Sequence, residues 1–69
     1  MSFYHTTDRD KAMTYAMGQA HASESIVIVY QSISDRLWHC TSYPMLPTGD
    51  AINPSVRYVL PQGEITKLS

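Results

Sequence analysis

The sequence predicts an α+β two-layer domain: one helix packed on one face of a three- to four-stranded, mostly antiparallel sheet, in the order β-α-β-β-β. Three observations carry this. Ile26-Val27-Ile28-Val29-Tyr30 is a β-branched run followed, after a polar turn, by a second half-apolar run, Leu37 to Tyr43, which together read as a hairpin. Ala12, Met13, Ala16, Met17 and Ala20 recur at spacings of one, three and four, which gather into one stripe at about 100° per residue. Val56-Arg57-Tyr58-Val59-Leu60 is a further strand stopped by Pro61. The 69 residues make a single domain, 1–69. At this size folding buries only about 60% of the surface that the unfolded chain exposes, so the stability margin is thin.

In chain order, residues 2–6 alternate small or polar groups with aromatic ones and read as a short first strand. Thr7, with Asp10 three residues on, is a variant of the capping box that opens a helix running from Asp8 to about Ala22. Its alanines allow close approach to a sheet, its methionines fill the gaps beside them, and Lys11, Thr14, Gly18 and His21 fall on the outer side. Gly18 costs about 1 kcal/mol relative to alanine in a helix interior, so it marks either a weak point or a close contact. Ala22-Ser23-Glu24-Ser25 ends the helix. Residues 44–55 hold three of the four prolines and form a loop longer than hairpin norms. The tail after Gln62-Gly63 either adds an edge strand or frays.

The hairpin register decides the faces, because a slip of one residue exchanges the two sides of a strand. A turn centred on Ser34 with an odd number of residues sets Tyr30 opposite Trp38 and Ile28 opposite Cys40. That register expects Ile26, Ile28, Tyr30, Trp38 and Cys40 beneath the helix, and Val27, Val29, Gln31, Leu37, His39 and Thr41 on the open face.

Charged residues make up 16% of the chain, against about 25% in an average soluble domain. A surface so poor in charge presents apolar or neutral groups that favour coverage by a partner. The formal net charge is −1, and Arg9, Lys11, Arg36, Arg57 and Lys67 are scattered, so phosphate-backbone binding is not expected. The single Cys40 excludes an internal disulfide. Met1-Ser2-Phe3-Tyr4-His5 lacks a basic region followed by an apolar one, and Ile26 to Tyr30 falls far short of a membrane span. The expectation is a cytoplasmic protein without membrane association.

Site chemistry is sparse. His39 and Cys40 have the residue types of a thiolate–imidazole pair, but neighbours in a regular strand point to opposite faces. Cys40 as a small core residue and His39 as a surface residue is the plainer reading. His5, His21, His39 and Cys40 suffice in number for zinc yet show no ligand spacing, so no metal or other cofactor is expected. Asp8 and Asp10 suit a helix N-terminus better than paired acid–base catalysis. Tyr4, Tyr30, Trp38, Tyr43 and Tyr58 could stack bases, but without basic company they fit a core or protein interface better.

What remains is a partner-binding surface: Val27, Val29, Leu37, His39 and Thr41 on the open face, with Tyr43, Met45, Leu46 and Ile52 around the long loop. A non-enzymatic protein that occludes or bridges a protein partner is the expected function, with a homodimer through the open face as its simplest form. The alternative is a small enzyme or ligand-binding subunit that uses Cys40 and a nearby histidine. The small α+β build, with Thr6-Thr7-Asp8-Arg9-Asp10 opening its helix and no site chemistry, resembles the small accessory proteins of phages and prophages, among them inhibitors of host defence such as anti-CRISPR proteins. That resemblance covers the general build, implies an inhibitor or accessory role, and carries no functional residue across.

Overall fold

The computed structural model describes residues 3–45, 49–52 and 55–65. Strand β1 (Tyr4–Thr6) leads into helix α1 (Arg9–Ser23), followed by β2 (Val27–Gln31), β3 (Trp38–Ser42), β4 (Arg57–Leu60) and β5 (Gly63–Ile65). The class and the β-α-β-β-β order are those expected, with five strands among the described residues rather than three or four, because the segment after Pro61 pairs as an edge strand. The sheet order is β1-β3-β2-β4-β5 and every neighbouring pair is antiparallel. β1 and β2 therefore run parallel with β3 between them, and α1 carries the chain across.

The helix is capped one residue later than the capping box implies. Asp8, not Thr7, is the N-cap: its carboxylate accepts from the Asp10 and Lys11 amides at 2.9 and 3.4 Å, while Thr6 Oγ1 accepts from the Asp8 amide at 3.2 Å. A carboxylate there satisfies two orphan donors and faces the positive end of the helix dipole, which Thr7 would do with less charge. At the other end Glu24 takes a left-handed conformation (φ 53°) and its amide bonds back to the Ala20 carbonyl. Ser23 Oγ donates to the Gln19 carbonyl at 2.7 Å.

Ala12, Met13, Ala16 and Ala20 are buried against Val27, Val29, Cys40 and Val59, with Tyr4, Tyr15 and Trp38 packed around them. The small residues of the stripe bring helix and sheet together as expected. Met17 lies at the margin of the stripe and is 54% exposed. Space around Gly18 is open, so it is no close contact but the weak point of the helix. Tyr4 and Tyr15 stack with ring centroids 4.1 Å apart, an arrangement worth about 0.5–1.5 kcal/mol beyond area burial; it fastens β1 to α1.

The hairpin register corrects the expected one. Gln31 lies opposite Trp38, Tyr30 opposite His39, Val29 opposite Cys40 and Ile28 opposite Thr41. The connection closes through the Ser32 amide on the Leu37 carbonyl at 2.9 Å and the Arg36 amide on the Ser32 carbonyl at 3.0 Å, with Arg36 left-handed at φ 64°. An even-numbered connection, residues 32–37, thus replaces the odd one centred on Ser34. The faces of β3 stand as expected; those of β2 exchange. Val27 and Val29 lie beneath the helix, while Ile28 and Tyr30 lie on the opposite face together with His39, Thr41, His5 and Tyr58.

Candidate functional site

The face away from the helix is less open than expected. Ile28 is fully buried, Thr41 is 2% exposed and Tyr30 is 9% exposed. Across three adjacent strands the side chains of His5, His39 and Tyr30 form a row: His5 and His39 rings lie 5.7 Å apart, and the His39 and Tyr30 rings stack at 5.4 Å. His39 Nε2 lies 3.1 Å from an Asp35 carboxylate oxygen. The row ends beside a hydroxyl–carboxylate network. Asp50 accepts from Ser32 Oγ at 2.8 Å and from the Ser34 amide at 3.1 Å, and the Ile33 amide donates to the Asp50 carbonyl.

This network explains the register. The long connection before β4 returns alongside the end of β2, where Ser32 bridges Ala51, the Ile52 amide donates to the Gln31 carbonyl and Ser55 Oγ accepts from the Gln31 amide. Asp50, eighteen residues from Ser32, fixes the turn from outside it. Gly49-Asp50 reads locally as turn chemistry, and no local signal announces so distant a partner.

The same bonds set a pH range for stability. The Leu37 amide, followed by His39, holds the Asp35 carboxyl below its usual range, and the Ser32 hydroxyl, followed by the Ser34 amide, does the same for Asp50. Carboxyls depressed in the folded state stabilise it above the ordinary unfolded value of about 3.9 and lose that contribution as the pH falls through their folded values. Burial raises Tyr30, aided by the negative charges of Asp50 and Asp35, and burial pushes the Cys40 thiol up to about 11. Those groups favour the folded state while protonated, and that contribution is lost as the pH rises from the ordinary thiol range toward 11 and, for Tyr30, above its ordinary value of about 10. Urea midpoints measured across pH are expected to hold a plateau from about 4 to about 8.5 and to fall on both sides. Asp50→Asn should flatten the acid limb; an unchanged acid limb in that variant would count against the Asp50 assignment.

Of the residues expected to bind a partner, Val27 and Val29 are buried beneath α1 and cannot be reached without unfolding. Thr41 is also buried, and Leu37, His39 and Ile52 are half-buried. Tyr43 and Met45 are exposed, at 44% and 58%. Leu46 lies outside the described residues. Phe3, 43% exposed, joins them without any signal in the sequence: antiparallel pairing of Tyr4 with Cys40 sets the start of β1 beside the end of β3. Phe3, Tyr43 and Met45 thus share one end of the sheet.

Cys40 is fully buried, and its thiol lies 3.4 Å from the Ala12 carbonyl, to which it donates. His39 is on the opposite face of β3. Among the described residues no group of three or more His, Cys, Asp or Glu side chains is placed to hold a metal ion, and no helix is long and apolar enough to cross a membrane. The small α+β domain matches no family model, no curated protein and no solved structure.

Proposed function

We propose that this chain is a non-enzymatic protein-binding module that occludes or bridges a partner protein, with self-association as its simplest form. The observation that carries the reading is the exposure of Phe3, Tyr43 and Met45 at one end of the sheet of a domain poor in charge. Large apolar and aromatic side chains with few charges around them distinguish interface cores from ordinary surface. The proposed contact surface is this end of the sheet, with Val27 and Val29 serving the core. An accessory or inhibitor role, as in the phage proteins whose build the chain resembles, and a cytoplasmic setting belong to the same reading.

Light scattering over a range of concentrations, with affinity capture from a bacterial lysate, tests it. The wild-type chain is expected to dimerise or to retain a protein partner, and the double variant Tyr43→Asp, Met45→Asp to lose that association while staying folded. A chain monomeric at every concentration that retains no partner would overturn the reading. The alternative of a Cys40 nucleophile is weakened by the buried thiol, whose raised pKa leaves little thiolate at neutral pH. Thiol labelling of the folded protein should be slow and become fast only in denaturant; rapid labelling at neutral pH would instead favour the enzymatic alternative.

A further inference from the structure

β1 is an edge strand whose described neighbours lie on one side only: it pairs with β3, and no described strand pairs with its outer edge. On the helix side of β1, between Tyr4 and the first turns of α1, lies a cleft of about 370 Å³ lined by Tyr4, Asp10, Lys11, Thr14 and Tyr15. Its apolar wall is the stacked Tyr4–Tyr15 pair, and the Phe3 ring lies 5.9 Å from Tyr15. Lys11 supplies a cation on the helix side and Asp10 a carboxylate one residue away. Such a volume is at the small end of ligand sites, enough for one or two side chains rather than a folded surface.

An unpaired strand edge offers backbone donors and acceptors to any extended chain, and side chains alternate along that chain with a period of two. A groove between an edge strand and a helix is therefore suited to a peptide that adds as a further strand and places alternate side chains against the helix. From the free edge and the adjoining cleft together we infer that the groove between β1 and α1 binds an extended peptide segment of a partner protein. The segment adds to β1, packs an aromatic or large apolar side chain on Tyr4 and Tyr15, and sets an acidic side chain against Lys11. This rests on the protein-binding reading and names the kind of partner: an unstructured segment, not a folded face. Phe3 joins the groove to the exposed end of the sheet.

The test pans a phage-displayed library of linear peptides against the full chain, then titrates the synthesised winners into isotope-labelled protein by NMR. Enriched peptides are expected to alternate apolar and acidic residues and to shift the amides of Tyr4 to Thr6 and of Lys11 to Tyr15. Proline or N-methylation at alternate peptide positions should weaken binding about tenfold or more, because it removes a backbone donor. Lys11→Glu, at an exposed site that leaves the fold intact, should cost about tenfold and shift the enriched peptides toward basic residues; Tyr15→Ala tests the apolar wall. Three results would overturn the inference: no enrichment by the wild-type chain, winners lost only in the Tyr43→Asp, Met45→Asp variant, or a β1-to-β1 dimer in which a second copy occupies the edge. The second and third of these leave the protein-binding reading standing, so the two proposals fail separately.

Discussion

Val29→Asp is expected to prevent folding at neutral pH. Val29 is fully buried among Ala12, Ala16, Cys40 and Val59, where a carboxylate would find neither water nor a partner cation among the described residues. Leaving one charge uncompensated in a core costs about 3–5 kcal/mol, against a total stability of about 5–15 kcal/mol for small domains, with a chain of this size at the lower end. Circular dichroism with urea titration reads the outcome: the variant should lack a cooperative transition or show its midpoint moved far toward zero denaturant. A midpoint near that of the wild-type chain, the ordinary result for a surface position, would overturn the placement of Val29 in the core.

Ile28→Ala is expected to cost about 2–5 kcal/mol, and Ile28→Val about 0.5–1.5 kcal/mol. Ile28 is fully buried although it lies on the face away from the helix, flanked by Thr41 on β3 and Tyr58 on β4. Deleting three carbons removes their transfer free energy and leaves a cavity that a sheet hydrogen-bonded on both sides closes only in part. Equilibrium urea unfolding of the two variants measures the losses. A cost for Ile28→Ala near that of a surface substitution would show that the second face is solvated and the packing there loose. A large cost would instead show that this face forms a second small core with Tyr30 and Thr41, which accounts for the shortage of open apolar surface on it.

These two residues also show where sequence reading reaches its limit. Helix α1 was legible because Ala12, Met13, Ala16 and Ala20, its buried positions, are small or flexible apolar residues at a helical period, although Met17 in the same stripe is exposed. β3 was legible in the same way: Trp38 and Cys40 alternate with His39 and Thr41, so period two separates the faces. β2 has no such contrast. Ile26-Val27-Ile28-Val29-Tyr30 is apolar at every position, both faces of the folded strand are buried, and either register hides hydrophobic side chains. The turn could not decide, since Ser32-Ile33-Ser34-Asp35-Arg36 holds no glycine or Asn-Gly pair to fix its type.

For the candidate surfaces the division is similar. Low charge and the apolar Tyr43 and Met45 were readable as interface composition, and both residues are exposed. Phe3 and the β1–α1 cleft were not readable, because they depend on which strand lies beside β1. That neighbour is β3 rather than β2, the strand to which α1 leads, and nothing local to residues 3–6 encodes it.

The sequence by itself determined the class and the order of the elements, and, as periodic contrasts within single elements, the buried alanine stripe of the helix and the faces of β3. Tertiary structure decided the hairpin register, and with it the placement of Val27 and Val29 beneath α1, because the contacts that set it join distant segments. Asp50 reaches Ser32 and Ser34 from the far side of the long connection, and Ile52 and Ser55 satisfy the backbone of Gln31. A strand that is apolar on both sides takes its orientation from what closes its ends.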